Sequence, residues 1–376
     1  MAELRLVRAE GDPFTRGSIV GSELRDLLNT SIDFYHRYLH KRGVSSSELT
    51  ELLTPYLSAA ETTYPSSMEV LKGMSAGAMV PVLELFAVNA FEELEPLLES
   101  PEGELLFLQR KEGYTAPPSL PATEGAAGRS EHCSSFTVSV PGSTIVAHNE
   151  HWLAGDLDNV AVVVDVPGDD VPVISPTVVC CLPAVGANGY GAAQGIGSLT
   201  ASDDGPGIPR VMVSRSTLTA RDREDAIAKA GVAGRAGGYG HVLGFRGGDA
   251  VTIETTATRE AVMTGPGAHT NHYRDPGLAA IAPAPSEGSA ARLGRIDDLL
   301  AERRPTTVQD VMGILTDHGS DPQAICLHPD PDEGEEASAV MFSMVAELES
   351  GRMWVAPGNP CETPYQEIDL AAVLND

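Results

Sequence analysis

Residues 131–152 read EHCSSFTVSVPGSTIVAHNEHW. SSFTVSV (134–140) and STIVAHN (143–149) alternate apolar and polar side chains around Pro141-Gly142. Period-two alternation on both sides of a short turn predicts a β-hairpin. One cysteine, Cys133, heads the first strand. Before it, residues 112–131 lose periodicity and are rich in proline, glycine, alanine and serine. That is the composition of a surface loop or linker where a chain is easily cut.

Helical spacing ends where this hairpin begins. Leu24, Leu27, Leu28, Ile32 and Tyr35 recur at helical intervals, and Gly43 is a stop. SSSELTELLTPYLSAAETTYP (45–65) opens on a serine cap followed by Glu48 and breaks near Pro65. Two further helices are predicted over 66–80 and 81–98, the second with Pro81 in its first turn. The first hundred residues thus read as helical. After the hairpin, 159–168, 171–185 and 189–200 read as strands with glycine-rich turns, and 209–231 as two helices. Residues 239–273 read as a meander of three or four strands, 291–304 and 307–319 as helices, and 338–358 as a closing hairpin around Glu349-Ser350-Gly351. Short turns favour antiparallel pairing, and two such sheets need helices on their outer faces. The expectation is an α+β fold, a four-layer αββα sandwich forming one structural domain. Residues 1–132 form a helical segment with its linker, and 133–376 carry the cysteine.

Composition limits the function. The chain has 376 residues, 42% of them hydrophobic, enough for a sizeable core. A formal net charge of -28 repels nucleic acid and anionic membrane, so neither is an expected partner. No stretch approaches the roughly 18–20 apolar residues of a membrane span. The start, MAELRLVRAEGDPF, has no apolar signal region, which makes the cytoplasm the expected location. Five cysteines, an odd number without an export signal, argue against a disulfide framework. Without a Cys-x-x-Cys pair, no structural zinc site is expected, and no cofactor is implied.

A buried apolar cysteine is one reading of Cys133. Its context gives another. A thiol can attack the preceding carbonyl, take the acyl group on sulfur and release it to water. The product has Cys133 as a new N-terminus, whose amine (ordinary pKa about 7.7–8.0) serves the thiol as its own base. The far hairpin strand returns Asn149, Glu150, His151 and Trp152 towards Cys133. A second polar cluster, AHTNHYRDP (268–276), offers Asn271 as an amide donor to an oxyanion, worth about 2.7–4 kcal/mol. The alternative is that these asparagines and histidines satisfy loop backbone.

HCSSFTVSV (132–140), AHNEHW (147–152), AHTNHY (268–273) and VAPGNPCETPY (355–365) occur in that order. With GDPFTRGSIVG (11–21), GANGYG (186–191), ARLGRIDDLL (291–300) and ICLH (325–328), they span most of the chain. The chain resembles the penicillin acyltransferase-like (isopenicillin N / 6-aminopenicillanic acid acyltransferase) family of N-terminal nucleophile (Ntn) hydrolases. The resemblance implies an αββα precursor cut between His132 and Cys133 into two fragments that stay associated. It maps the nucleophile to Cys133 and the oxyanion donor to Asn271. Asn149 matches the family's Asn-x-Asp-aromatic pattern, whereas His151 stands where the aspartate belongs. A histidine accepts a hydrogen bond only when neutral and lacks a fixed charge, so the resemblance implies pH-sensitive processing or turnover. His132 replaces a frequent glycine, and Leu327 stands where an arginine is expected. Glu150, Trp152 and His272 are the candidate substrate contacts.

The implied activity is a cysteine amide hydrolase or acyltransferase of secondary metabolism, acting on a small amide or thioester. A coenzyme A thioester is an admissible substrate, although no motif reports coenzyme A and an acidic protein attracts it poorly. Higher oligomers are not specified. Two other readings stay open. One is a non-cleaving, non-catalytic relative of the same fold. The other is a metal hydrolase drawing on His148, His151, His269, His272, His318, His328 and Asp317, although HNEH is not the helical His-Glu-x-x-His pattern.

Overall fold

The computed structural model describes residues 4–99 and 133–375. His132 and the linker expected over 112–131 lie outside the described residues. Strand β1 (Arg5–Gly11) leads into α1 (Pro13–Glu23), capped by Asp12, whose carboxylate accepts from Thr15 N at 3.0 Å. There follow α2 (Arg25–Lys41), α3 (Ser46–Thr63), α4 (Pro65–Ala78), α5 (Val82–Asn89) and α6 (Phe91–Glu99). Helix α3 starts on the Ser45–Glu48 capping box its sequence announces. Against the all-helical reading, β1 is extended. Its Arg5, Arg8 and Glu10 mask any apolar alternation, and pairing with a distant strand holds it in place. The GSIVG stretch has a packing role. A Cβ on Gly17 would sit 2.0 Å from Val70 O, and one on Gly73 2.1 Å from Phe14 O, so only glycine lets α1 and α4 approach.

Next come β2 (Ser134–Val140), β3 (Ser143–Leu153), β4 (Val160–Pro167), β5 (Val173–Val178), β6 (Gly186–Asn188) and β7 (Ala192–Leu199). Helices α7 (Arg210–Thr217) and α8 (Arg223–Ala230) precede β8 (Gly238–Phe245), β9 (Ala250–Thr255), β10 (Glu260–Thr264) and β11 (Ala268–His269). Helices α9 (Pro276–Ala279), α10 (Glu287–Arg303) and α11 (Val308–Leu315) are followed by β12 (Ser338–Glu347), β13 (Arg352–Pro357), β14 (Gln366–Asp369) and α12 (Leu370–Asn375).

The strands make an eight-stranded sheet, β1-β4-β5-β6-β7-β8-β9-β10, and a six-stranded sheet, β11-β2-β3-β12-β13-β14. Pairing is antiparallel except between β1 and β4. The sheets meet face to face, with β2 and β3 against β7 and β8. Ala226 and Ala230 of α8 pack on Leu243, Val251 and Ile253 behind the first sheet. Leu293, Ile296, Val311 and Ile314 of α10 and α11 pack on Phe136, Ile145 and Val345 behind the second. The four-layer αββα order is realised. The last strand of the expected meander, β11, leaves the first sheet and pairs with β2, which carries Asn271 towards Cys133. Among the described residues, no helix is long and apolar enough to cross a membrane.

Candidate active site

The hairpin register sets the site. Ser134 pairs with Asn149 and Ser135 with His148. Side chains alternate along a strand. Cys133, Ser135, His148 and Glu150 therefore face the space between the sheets, while Ser134, Asn149 and His151 face the helical layer. The hydrogen bonds follow this division. Ser135 Oγ donates to Ile196 O of β7 at 3.0 Å. Asn149 Nδ2 donates to Leu315 O and Ile325 O at 3.0 and 2.9 Å, and His151 Nε2 lies 3.2 Å from Ile325 O. Opposite them β12 bulges: Val340 faces His151, Phe342 faces Glu150, and Met341 is extra.

Cys133 is buried, 3% exposed. Its Sγ lies 3.3 Å from Glu150 Oε1 and 3.8 Å from His151 O. The carboxylate beside the sulfur is thus Glu150, and His151 offers only its backbone. Glu150 Oε2 is 2.9 Å from His148 Nε2, and His148 Nδ1 is 2.8 Å from Ser135 Oγ. Ser135 gives its one hydroxyl hydrogen to Ile196 O, so it accepts from His148 Nδ1–H. A hydrogen-bonded chain, Ser135–His148–Glu150, thus ends beside the sulfur. Gly195 makes room for it, since a Cβ there would lie 2.8 Å from Ser135 Oγ and 3.1 Å from His148 Nδ1. Burial, and then the neighbouring Glu150 charge, push the Cys133 thiol well above its ordinary pKa. The sulfur is therefore held as a neutral thiol.

Arg292, fully buried on α10, ties the rest together. Its Nη1 donates to Cys133 O at 2.5 Å and Ser134 Oγ at 3.0 Å, and its Nη2 to Asn271 Oδ1 at 3.1 Å. With Oδ1 held, the Asn271 amide turns Nδ2 to Ser198 O, 3.3 Å away. Ser289 Oγ accepts from Asn271 N at 2.8 Å and lies 2.7 Å from His272 Nδ1. Sequence reasoning missed Arg292. The available signal was an arginine in register with the apolar stripe of its own helix, four residues before Ile296 and seven before Leu299.

Cys133 and Glu150 open onto a pocket with about 610 Å³ of unfilled space, part of it exposed to solvent. Phe91, Trp152, Val178, Leu182, Ile196 and Phe342 make its walls apolar. The Trp152 indole N–H donates to the Tyr35 hydroxyl, and its ring centroid lies 5.5 Å from that of Phe91, so α2 and α6 brace the pocket. One charge enters this lining from α6. Glu92 accepts from the hydroxyls of Ser198 and Tyr239, and burial pushes it up to about 7 against the pull of Arg210. Arg210 also pairs with Glu93 at 2.9 Å and Asp204 at 2.6 Å. Glu92 too was missed. Its signal was three glutamates crowded into FEELE (91–95), too many for one helix turn to turn outward.

Residues 139–362 match the family model of acyl-coenzyme A:6-aminopenicillanic acid acyl-transferase. The chain belongs to this acyl-transferase family. The match begins after Cys133 and takes in Glu150, Asn271 and Arg292. Among solved structures, the chain is similar to penicillin V acylase from Agrobacterium tumefaciens, at 13% identity, covering 64% of this chain and 86% of that one with a TM-score of 0.44. It is also similar to a variant of conjugated bile acid hydrolase from Clostridium perfringens, at 11% identity, 64% and 93% coverage and a TM-score of 0.40. No curated protein matches it in sequence.

Within this member of the acyl-transferase family, the remaining candidates are dispersed. The histidines named for a metal hydrolase do not share one centre. His148 serves Glu150, and His151 bonds Ile325 O. His269 Nε2 lies 2.8 Å from Glu254, and His272 adjoins Ser289. His318 and His328 meet each other elsewhere, and Asp317 pairs with Arg295 at 2.8 Å. Leu327 contributes backbone, its carbonyl accepting from Asn359 Nδ2 at 2.8 Å.

Proposed function

We propose that this chain is a cysteine Ntn-type amide hydrolase or acyltransferase that cuts its own His132–Cys133 bond. The supporting observation is the Cys133 sulfur in an apolar pocket, 3.3 Å from Glu150, with the carbonyl of Cys133 and the amide of Asn271 held by one arginine. In processing, Sγ adds to the His132 carbonyl carbon and the C–N bond breaks. The Cys133 nitrogen gains a proton, the acyl group rests on sulfur, and water releases it as a carboxylate. Glu150 takes the thiol proton, with His148 as its reserve.

In turnover, the freed amine of Cys133 joins Glu150 as base, and Sγ adds to a substrate carbonyl. Asn271 Nδ2 stabilises the oxyanion, while Arg292 holds the amide in that orientation. The amine leaves protonated. The acyl-enzyme then passes its acyl group to water or to another amine. The family's named acceptor, 6-aminopenicillanic acid, takes an acyl group on its amine, and the apolar pocket suits the acyl side. A net charge of -28 makes coenzyme A a poor donor here, so we favour hydrolysis of a small amide.

Intact mass spectrometry of the purified protein tests this. The expected result is two fragments meeting between His132 and Cys133 and, in Cys133→Ala, one uncut chain. An uncut wild type, or amide turnover retained in Cys133→Ala, overturns the reading.

A further inference from the structure

A second group of cysteines and histidines lies apart from the Cys133 pocket. His318 Nε2 is 3.2 Å from His328 Nε2, which is 3.2 Å from Cys361 Sγ, which is 3.5 Å from Cys326 Sγ. All four donor atoms lie within 4.8 Å of one another. A zinc ion with bonds of about 2.0–2.3 Å at tetrahedral angles separates its ligands by about 3.3–3.8 Å. The observed spacings are near those edges. The surroundings match a metal's outer shell. Asn359 Nδ2 donates to Cys326 Sγ at 3.5 Å, and the Glu362 carboxylate stands 3.8 Å from His328 Nδ1, on the side of the ring away from the cluster.

The backbone has a use for a clamp. Residues 316–337 run without helix or strand apart from a short 3-10 turn at Gly334–Glu336. Irregular connections of this length need something to fix them. Three of the donors come from this connection, and Cys361 comes from the loop between β13 and β14. The expectation against structural zinc rested on paired cysteines close in sequence. Here the donors converge from separate segments, which spacing cannot reveal.

We propose that His318, Cys326, His328 and Cys361 form a Cys2His2 site for a zinc-class transition metal ion, tying the connection before β12 to the β13–β14 loop. Two thiolates and two neutral imidazoles suit zinc in tetrahedral geometry. The ion's role is structural. It fixes the segment whose Ile325 carbonyl receives both Asn149 and His151 on the rear of the hairpin. This proposal is independent of the assignment of Cys133.

The test uses the full chain, purified in reductant without chelator, loaded with Zn²⁺ and dialysed. Elemental analysis is expected to find about one zinc per chain. Cys361→Ser and His318→Gln, both at exposed positions and checked for folding by circular dichroism, should fall to background. Cys133→Ser should keep its zinc, which excludes the other Cys-His-Glu group, Cys133 with His148 and Glu150. Loading with Co²⁺ should produce thiolate-to-cobalt charge transfer and the strong visible bands of a tetrahedral ion. A wild type that retains no metal overturns the proposal, as does equal retention in folded Cys361→Ser and His318→Gln. So does a metal-free chain about 2 Da lighter, with Cys326 and Cys361 joined as a disulfide.

Discussion

The two faces of β3 carry similar residues with different work. On one face, His148 and Glu150 reach a sulfur across a gap between sheets. On the other, Asn149 and His151 bond the backbone carbonyls of Leu315 and Ile325 beneath the helices. All four are within HNEH, yet a one-residue step moves a side chain from the pocket to the rear wall. Which side chains reach the sulfur is set by the face, and the family pattern alone does not give it.

The sharpest test of this contrast removes the sulfur. Cys133→Ala should leave the chain uncut and lower amide turnover on the order of 10⁴-fold or more, read by mass spectrometry and rate assays. Glu150→Gln should slow processing and turnover by about 10²–10⁴-fold, because it removes the base and uncouples His148. A rate within a factor of about three of wild type would break the comparison. Asn271→Ala should lower kcat by roughly 10²–10³-fold with little change in KM.

Across the strand the effects should shrink. His151→Phe is expected to lose about 1 kcal/mol of stability with its bond to Ile325 O, measured by denaturant melting, and to change turnover less than about tenfold. If His151→Phe proves more damaging to turnover than Glu150→Gln, the position favoured by the family pattern outranks the face. A separate, pH-dependent effect concerns Glu92. Its folded pKa is raised from 4.5 to about 7 by burial. Its stabilising contribution is therefore present below about pH 4.5 and lost as pH rises through 7. Glu92→Gln should gain on wild type by about 2–3 kcal/mol between pH 5 and pH 8, and a flat difference would remove Glu92 from the titration.

Much of the architecture was legible in the chain. The hairpin at Pro141-Gly142, the Ser45 cap and the helices over 209–231 are local signals, and each is realised. β1 was not legible, since its partner β4 lies far along the chain. Cys133 and Asn271 stood out by residue type and neighbours. Arg292 and Glu92 did not, because a charge inside an apolar helix reads as a surface residue until a fold buries it. That His151 turns its ring to Ile325 O and only its backbone to Cys133 could not be read from the motif, because the register decides which side chains meet. The Cys2His2 group was hidden for the same reason, with donors separated by up to 43 positions, from His318 to Cys361.

The parallel edge strand has one more consequence. Seven residues of β1, Arg5 to Gly11, pair with β4, which lies beyond Cys133 in the chain. A cut before Cys133 would therefore separate two pieces that share a sheet. The larger piece, made alone, would present the bare edge of β4, an open invitation to other strands. Synthesis as one polypeptide supplies the complementing strand at one-to-one stoichiometry and high local concentration before any bond is broken. If the chain is cut there, the N-terminal segment would stay in the product as a strand of its sheet, and separating the pieces should require unfolding both.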